Sequence, residues 1–530
     1  MRAPSSTEVL SLDQSSGAEL SAGAGTAERD ELARRHFDRG NRLRDQRRFD
    51  EAAVAFSEAL AYAPDCAEAW LNLGHLAELR GRYADAITEY RHALAANPVL
   101  PEAHLNLGNA LLKTGQPDAA LAAYRAALVV RPDYAEAHLN LGNILQLQGQ
   151  LDAALACYER VLEIRPHCAE AHVNLGKIHR SRNQLPAALA ACRRALALKP
   201  ELPQAHLNEA MVHLVAGDLR AGWPKCEYRW LLAETPKQRV LPAPVWGGDA
   251  PLTGKTILLH AEQGLGDTLQ FVRYVPLVAA RGATIHLEVQ PSLKSLLAAL
   301  PGVAAVHAFG EELPRFDFHC PLMSLPLAFS TGLESIPATV PYLRLPADRD
   351  ARWRDLLGPA SGLRVGLVWA GNPGHPNDRN RSIPFSAFRA ICAPLNGARF
   401  FNLKIEACRD DVTALADTAD VVDYAEFVHD FSDTAALVAQ MDLIISVDTS
   451  VAHLAGALGK PVWLLLPFSP DWRWLLARED SPWYPTMRLF RQPQIADWDT
   501  VLCRVRAELE RLVGQSQTDR APAIKAALVS

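Results

Sequence analysis

Three short polar segments in the C-terminal half carry residue types that can do chemistry. In the segment 260–268 (HAEQGLGDT), a predicted strand leads into a helix through a turn in which Gly264 and Gly266 permit a ligand close to the backbone. Asp267 at the tip of this turn can act as a general base. It can equally cap the helix that follows, and the two roles are compatible.

The second segment, 448–459 (DTSVAHLAGALG), follows a buried strand and opens a helix. Thr449 or Ser450 can cap that helix, which leaves backbone N–H groups and the positive end of the helix dipole for an anion such as a phosphate. His453 lies in the first turn and can donate to the same anion. The alternative is that Asp448, Thr449 and Ser450 only end the strand and cap the helix, with His453 packed against the sheet.

The third segment, 370–384, is rich in turn residues and is expected to form a loop over the same region. Arg381 and Arg379 can make bidentate bonds to phosphates and stabilise a departing diphosphate. Either arginine can instead be solvated, and for Arg379 this is the favoured interpretation.

The elements that must position these segments follow from the hydrophobic pattern. Short apolar strands alternate with amphipathic helices, which predicts parallel sheets covered on both faces. A proline-rich passage at 337–361 separates two series of strands, so we expect two Rossmann-like lobes at 255–340 and 362–513 with a cleft between them. Ligands bind at the carboxyl ends of the strands in such sheets, where the three segments fall. The predicted strands are 256–261, 283–289, 303–309, 316–323, 364–370, 400–405, 420–424, 443–448 and 461–467, and the predicted helices of the first lobe are 268–281 and 292–300.

The N-terminal half carries an internal repeat. A glycine recurs every 34 residues, and in each unit an alanine, then an aromatic or small apolar residue, and finally a proline follow at fixed spacing. Small residues let two helices approach closely, large ones fill the space between them, and proline ends the second helix. Five units cover about 33–202, and a sixth, degenerate unit extends the array to 236. The repeated glycines are Gly40, Gly74, Gly108, Gly142 and Gly176. The 34-residue period and these four recurring positions resemble the tetratricopeptide repeat family, which implies an α-helical solenoid.

One asparagine column of the repeats is not explained by packing within a unit. Asparagine is a poor helix former, and its amide offers both a donor and an acceptor to an extended peptide backbone. The column therefore indicates a peptide-binding ladder in the inner groove, resembling the repeats of nucleocytoplasmic O-linked N-acetylglucosamine transferases. The alternative is an inherited repeat residue with local hydrogen bonding. The column is Asn72, Asn106, Asn140, Asn174 and Asn208, and Asn109 and Asn143 extend the polar strip.

The three polar segments together resemble glycosyltransferase family nine, the heptosyltransferase-type enzymes with the two-lobed GT-B fold. The resemblance covers about 255–510 and rests mainly on G-L-G-D at 264–267 and D-T-S-x-x-H-L-A-x-A-L-G-x-P-V at 448–462. The fold class expected for the whole chain is therefore an α-helical tetratricopeptide solenoid followed by an α/β GT-B glycosyltransferase.

The resemblance also implies roles for individual residues. The G-D aspartate of the family activates the acceptor hydroxyl, and Asp267 matches it. A basic residue after the first strand of the second lobe contacts the donor phosphates, and Arg381 matches it. Thr449, Ser450 and His453 match the element that cradles the diphosphate, although Ser450 stands where glycine is usual. Lys404 falls loosely at a position that meets the nucleotide. The segment 471–474 (DWRW) looks like an aromatic face near the cleft or a part of the core.

The function that follows is transfer of a sugar from a nucleotide-sugar donor to an acceptor hydroxyl, inverting and independent of metal. No cofactor is expected beyond the nucleotide sugar as co-substrate. Metal is not expected because the D-x-D strings, at 348–350 and 497–499, do not follow a cleft strand. The acceptor is expected in the repeat groove and is most plausibly a protein or peptide, with a glycan as the other candidate. Two alternatives stay open: a repeat scaffold with a nucleotide-binding but inactive transferase domain, and an epimerase or hydrolase on the same fold.

Composition narrows the function classes further. The 530 residues carry 54 basic and 60 acidic side chains, a formal charge of −6, whereas a nucleic-acid coat needs a basic surface. The 9 cysteines include no C-x-x-C pair, which favours a reducing, cytoplasmic location. No apolar run reaches the roughly 18 residues of a transmembrane helix. Residues 1–29 and 515–530 are expected to be disordered tails, and 237–254 a linker.

Overall fold

The computed structural model describes residues 25–232, 239–360, 362–404 and 421–515. The chain divides into two compact units, 1–178 and 179–530. Most of the two predicted tails, and the start of the predicted linker, lie outside the described residues. The first helix begins at Thr26, inside the segment that the sequence assigns to the N-terminal tail.

The first four repeats form pairs of helices in which the glycine of the first helix lies against an aromatic ring of the second. A Cβ atom at Gly108 would come 2.4 Å from Tyr124 Cε1, and one at Gly74 would come 2.5 Å from Tyr90 Cε1, so no other residue fits without displacing the ring. The rings and the alanines beside them are fully buried. The repeat helices are Thr26–Asp45, Phe49–Tyr62, Ala67–Leu79, Tyr83–Ala96, Pro101–Lys113, Pro117–Val130, Ala135–Leu147, Leu151–Ile164, Ala169–Ser181, Leu185–Leu198, Pro203–Val215 and Leu219–Cys226.

Successive repeats are tied together by a recurring bond from an aromatic ring. The ring nitrogen of a residue in the first turn of a unit lies in hydrogen-bond reach of the carbonyl of the proline that closes the preceding unit, six residues earlier. The same geometry serves tryptophan and histidine, since both offer a ring N–H. The pairs are Trp70–Pro64 at 2.8 Å, His104–Pro98 at 2.9 Å, His138–Pro132 at 2.9 Å and His206–Pro200 at 2.7 Å.

The second unit contains two wholly parallel sheets, as the alternation of strands and helices predicts. One is four-stranded in the order β3-β2-β1-β4, and the other is six-stranded in the order β10-β9-β8-β5-β6-β7. The central strands are buried on both faces. The strands are β1 Thr256–His260, β2 Thr284–Val289, β3 Val303–Ala308, β4 Phe318–Pro321, β5 Leu363–Val368, β6 Ala398–Asn402, β7 Val421–Val422, β8 Leu443–Val447, β9 Val462–Leu466 and β10 Met487–Arg491.

Two features of these sheets differ from the sequence prediction. Strand β10 was not predicted, because Arg488 and Arg491 interrupt its apolar pattern, yet it extends the second sheet beside β9. The helix predicted at 268–281 begins earlier, at Leu265, so Asp267 lies in its first turn. The α-helices of the sheet region are Leu265–Phe271, Val275–Ala279, Pro291–Leu297, Leu325–Ala328, Ala347–Leu357, Asp378–Arg381, Phe385–Phe388, Phe431–Ala439, Ser450–Ala457 and Trp498–Gly514.

A search of the described residues finds no helix whose length and apolar character would let it span a membrane. The fold class is confirmed: a helical repeat array is followed by parallel α/β sheets of the kind a two-lobed glycosyltransferase contains.

Candidate functional site

Two of the predicted segments meet where β1 and β8 end. The helix Leu265–Phe271 follows β1 and packs against the helix Ser450–Ala457, which follows β8. Gly266 is a point of close approach, because a Cβ atom there would lie 2.9 Å from His453 Cδ2. The structure therefore brings the G-L-G-D and D-T-S-x-x-H segments together, and it uses Gly266 for this helix contact. Donor binding by Gly264 and Gly266 stays a prediction.

Asp267 has two partners of different kinds. The backbone N–H of Gly264 donates to its Oδ2 at 3.0 Å, which is the helix-capping role that the sequence left open. Its Oδ1 forms an ion pair with the guanidinium of Arg473. Burial raises the pKa of Asp267, and the positive charge of Arg473 opposes that rise. The carboxylate is thus held at the edge of both sheets by a residue that the sequence did not single out.

Arg473 is the centre of a buried network of charges. Its guanidinium is 9% exposed and contacts Asp267, Gln270 and Asp471, the last at 2.9 Å. Burial alone would lower the pKa of Arg473, but Asp471, Asp267 and Asp448 raise it above its ordinary value. One arginine therefore balances three carboxylates contributed by both lobes.

Asp448 ends β8 and belongs to the same network. Burial, and then the negative charge of Asp471, raise its pKa, while Arg473 and Arg381 oppose the rise. The guanidinium of Arg381 donates to the backbone carbonyl of Asp448 at 2.9 Å, and its Nε donates to Asp378 Oδ1 at 3.2 Å. Arg381 is thus brought to the carboxyl end of β8.

Arg379, in the same loop as Arg381, differs from it in exposure to solvent. Arg379 is exposed, which agrees with the favoured interpretation of its sequence position, whereas the side chain of Arg381 is only 14% exposed. Lys404 lies just beyond β6, and its Nζ is 5.6 Å from the centre of the Trp369 ring. Its contact with a nucleotide stays a prediction.

His453 is buried, and its described partners are aromatic side chains outside the strands rather than the sheet of the alternative interpretation. Its Nδ1 lies 2.9 Å from the hydroxyl of Tyr484, and its ring stacks on Trp474 with centroids 5.5 Å apart. Burial and the nearby arginines, Arg473 first, lower its pKa well below the usual value, so the imidazole is neutral. Its Nε2 lies 3.8 Å from Asp448 Oδ1. Any donation to a phosphate would come from a neutral ring.

Thr449 and Ser450 stand at the start of the second helix, but neither side chain caps it. Thr449 is the N-cap residue, and its hydroxyl is 3.3 Å from the hydroxyl of Ser446 rather than bonded to the first helical turn. Ser450 is the first helical residue and is partly exposed. The predicted capping by these hydroxyls is therefore absent.

The asparagine column has mixed surroundings. The side-chain nitrogens of Asn140 and Asn174 donate at 2.9 Å to Asn109 and Asn143, the neighbouring asparagines of the preceding repeats. The predicted polar strip thus exists, but part of its hydrogen-bonding capacity links the repeats. Asn72 accepts a bond of 2.7 Å from Arg44. The structure gives the side chain of Asn106 no hydrogen bond within the described residues.

Asn208 departs from the rest of the column. It is only 7% exposed, because its helix, Pro203–Val215, packs against residues 227–231 and 472–474. The sequence prediction that Asn208 faces an open groove is wrong for this unit, and the sixth repeat serves a different purpose.

The sequence did not predict several residues of the site, namely Arg473, Asp471, Tyr484 and Glu262. The signals in the sequence were the strings D-W-R-W at 471–474 and S-P-W-Y-P at 481–485, whose aromatic residues suggested either a surface near the cleft or a part of the core. Trp472 and Trp474 are 4% and 0% exposed, so the first string is buried and directs Arg473 towards Asp267.

Comparison with known families agrees with both halves of this description. Residues 429–466, which contain β8 and the helix that follows it, match the family described as Glycosyltransferase family 9 (heptosyltransferase). Families described as tetratricopeptide repeat match at 37–101, 89–122, 108–149, 135–168 and 169–202. The chain therefore combines tetratricopeptide repeats with a C-terminal segment that matches the model of glycosyltransferase family 9.

Comparison with individual proteins finds relatives of low sequence identity. Protein FlbA of Caulobacter vibrioides (strain ATCC 19089 / CIP 103742 / CB 15) is 27% identical over 315 residues, which is 54% of this chain and 52% of that protein. The chain thus spans about half the length of this curated relative. Among solved structures, MamA is 26% identical with a TM-score of 0.30 and covers 32% of this chain and 93% of its own. YrrB, described as a TPR protein with an unusual peptide-binding site, is 25% identical with a TM-score of 0.30, over 32% and 88%.

Proposed function

We propose that the protein is a glycosyltransferase that moves a sugar from a nucleotide-sugar donor to an acceptor hydroxyl, with inversion and without a metal ion. The observation that carries the proposal is the meeting of the G-L-G-D turn and the D-T-S-x-x-H helix at Gly266 and His453. Segments almost two hundred residues apart in the sequence converge at the carboxyl ends of strands from two parallel sheets, which is where such folds bind nucleotides.

In the proposed reaction, Asp267 accepts the proton of the acceptor hydroxyl. The hydroxyl oxygen then bonds to the anomeric carbon, and the bond from that carbon to the diphosphate oxygen breaks on the opposite face. The nucleoside diphosphate departs with the electron pair. Arg381 and the N–H groups at the start of the helix Ser450–Ala457 would stabilise the negative charge that develops on it.

Arg473 has a defined part in this proposal. A general base must be ionised, yet burial raises the pKa of Asp267. The adjacent guanidinium opposes that shift and favours the charged carboxylate. For Asp267 to take a proton, the acceptor hydroxyl must approach the carboxylate while Arg473 stays close enough to preserve its charge.

Cationic side chains would replace a metal in neutralising the diphosphate. Within the described residues there is no group of three or more histidine, cysteine or acidic side chains suited to a metal ion. We expect turnover to persist in excess EDTA, while a metal-dependent enzyme would lose it.

The proposed acceptor is a protein or peptide bound along the asparagines of the first unit. Asn106 has an amide that no described residue engages, and Asn72, Asn140 and Asn174 are partly exposed beside it. An amide can pair with both the N–H and the C=O of an extended peptide. A glycan acceptor would bond to the same amide groups, but without the regular spacing of a peptide backbone. Binding assays on peptide and glycan arrays distinguish the two.

The test begins with a panel of ADP-, UDP-, GDP- and CMP-sugars, followed by thermal shift and by release of free nucleotide. We expect one nucleotide class to raise the Tm and to be released on addition of an acceptor. His453→Ala should abolish the shift, because His453 lies at Gly266, where the two helices meet at the proposed donor site. If no donor raises the Tm of the wild type, the transferase proposal fails.

A second candidate function is a repeat scaffold whose transferase domain binds a nucleotide without turnover. The ion pair between Arg473 and Asp267 favours it, because it occupies one oxygen of the base, as does Ser450 in place of the family's glycine. In that case a donor would raise the Tm while no acceptor, peptide or glycan, caused release of nucleotide.

A further inference from the structure

The second compact unit begins at His179, inside the fifth repeat, so the end of the repeat array belongs to the same unit as the two sheets. Among the contacts that join these last repeats to the segments of the candidate site, three involve side chains that can be substituted singly. They come from the turn of the fifth repeat, from the second helix of the sixth repeat and from the short 3₁₀ helix Glu227–Leu231 that ends the array.

The first contact comes from Asn183. At this turn position the second, third, fourth and sixth repeats have glycine with positive φ: Gly81, Gly115, Gly149 and Gly217. The fifth repeat has asparagine there instead, at φ 56°. Its side chain donates at 2.7 Å to the carbonyl of Phe468, just beyond β9. The departure from glycine thus supplies a bond to the segment that leads to Arg473.

The second contact comes from Trp223, which is 2% exposed. Its ring meets Trp472 edge to face with centroids 5.2 Å apart, and its N–H donates at 2.9 Å to the carbonyl of Thr331. Such aromatic pairs contribute beyond their buried area. Trp472 precedes Arg473, so the sixth repeat packs directly on the residue beside the charged network.

The third contact is a buried ion pair between Arg229 and Glu262. The guanidinium of Arg229 is 4% exposed and donates to Glu262 Oε1 at 2.8 Å, to Glu227 at 2.6 Å and to the hydroxyl of Ser324 at 2.8 Å. Glu262 stands two residues beyond β1, in the turn that carries Asp267. An arginine of the repeat array therefore holds the turn that contains the proposed base.

The charge of Glu262 depends on this partner. Burial raises its pKa to about 7, even though Arg229 opposes the shift. A buried carboxylate that loses its cation is strongly destabilised in place, either losing its charge or moving out to water. Removing Arg229 also removes the two bonds that tie Glu262 to the 3₁₀ helix, so the turn should open more readily.

We propose that the last two repeats are positioning elements of the candidate site. Arg229 acts through Glu262 on the turn that carries Asp267, while Asn183 and Trp223 fix the segment that carries Arg473. The consequence for turnover rests on the proposed glycosyltransferase function, but the positioning itself can be measured without any substrate.

The experiment is hydrogen–deuterium exchange by mass spectrometry on the full chain, following peptides that cover 261–268 and 468–475. In Arg229→Met we expect the first peptide to exchange about tenfold faster or more, because breaking a buried pair leaves an uncompensated charge. The double variant Arg229→Met with Glu262→Gln should recover most of the protection. The control is Arg131→Met, whose ion pair with Glu102 is on the repeat surface, 43% and 39% exposed.

Asn183→Gly provides the second arm. It restores the turn residue of the second, third, fourth and sixth repeats and removes the side-chain bond to Phe468. We expect faster exchange in 468–475, by severalfold, with no loss of protection in the helix Ala169–Ser181. This variant should fold even if Arg229→Met does not.

Unchanged exchange of both peptides in folded Arg229→Met and Asn183→Gly would overturn the inference. Faster exchange that the Glu262→Gln partner does not reverse would show that Arg229 acts otherwise than through Glu262. For an active enzyme, Arg229→Met should lower kcat with little change in the KM for the donor, and the double variant should recover kcat. Absence of turnover in the wild type would refute the proposed function and leave the exchange results to decide the positioning claim.

Discussion

The first compact unit and the candidate site satisfy their polar side chains in opposite ways. In the repeats the partners are near in sequence: the hydroxyl of Tyr124 donates to Asn109, 15 residues away, and His138 bonds to the carbonyl of Pro132, 6 residues away. At the site, Arg473 and Asp267 are separated by 206 residues. Arg273, which donates to the carbonyl of Trp483 at 2.6 Å, is separated from it by 210.

From this difference we infer which substitutions should affect only local stability and which should affect several groups of the site. Each contact of the repeats is present several times, so the loss of one copy costs stability locally and leaves the others intact. The charged network at the site exists once and joins elements of both sheets. A single change there should alter several groups together, because Arg473 balances Asp267, Asp448 and Asp471 at the same time.

The largest expected effect is that of Asp267→Asn. The amide keeps the size of the side chain and can still accept from Gly264, but it cannot take a proton, so kcat should fall about 10²–10⁴-fold. Steady-state kinetics with the donor identified in the panel measures this.

The matched control for that variant is Asp317→Asn. Asp317 also accepts from a backbone N–H, that of Thr256 at 2.8 Å, but it lies at the opposite end of β1. Its kcat should stay within about twofold of wild type. Equal losses in the two variants would remove Asp267 from the role of base.

The second largest effect is expected for Arg473→Met, which should change the pH dependence of kcat. The guanidinium favours the ionised forms of Asp267 and Asp448, so its loss raises both pKa values. The base is active only when ionised, and the acidic limb of the pH profile of kcat should therefore move to higher pH, by about 1–3 units. Arg504→Met, whose pairing with Glu479 is exposed, should leave the limb in place. A shift to lower pH, or none, would contradict the assigned balance of charges.

Gly266→Ala tests the contact between the two helices. The added Cβ would lie 2.9 Å from His453 Cδ2, so the buried ring or the helices must shift, at a cost of about 1–3 kcal/mol in the free energy of unfolding. Gly514→Ala adds the same atom where nothing lies within 4 Å and should be neutral or slightly stabilising. Denaturant unfolding of both variants measures the difference, and equal stabilities would mean that the helices do not meet at Gly266.

The smallest effect is expected in the repeats. Tyr124→Phe removes one hydrogen bond to Asn109 and should cost about 0.5–1.5 kcal/mol. Tyr158→Phe removes bonds to both Asn143 and Gln146 and should cost at least as much. Neither should alter turnover beyond about twofold. A loss of kcat comparable to that of Arg473→Met would break the contrast between redundant and single-copy contacts.

The same contrast explains what the sequence could predict. The repeats were predictable because a contact such as that between Gly108 and Tyr124 recurs at a fixed period, so independent columns report the same packing. Strands such as β1 and β8 were predictable from their apolar runs. Strand β10 was not, since Arg488 and Arg491 break the apolar pattern of a strand whose other residues are buried.

The site was predictable only as a set of separate segments. Asp267, Arg381 and His453 could be selected from local motifs, and the structure places them around the ends of β1 and β8. No local signal pairs Asp267 with Arg473, because a pairing over 206 residues depends on the tertiary fold. Likewise, asparagine at position 183 reads as a tolerated turn residue until Phe468 is found beside it.

The measurement that tests the central claim most directly is calorimetric titration of nucleoside diphosphates into the wild type, Arg381→Ala and Arg379→Ala. Arg381 lies at the end of β8, whereas Arg379, two residues away, is exposed. We expect one nucleoside diphosphate to bind the wild type and Arg379→Ala with the same affinity. Its Kd for Arg381→Ala should be at least about tenfold higher, as expected for loss of a charged hydrogen bond. Equal affinity in all three proteins, or no binding at all, would contradict a donor site at the carboxyl ends of these strands.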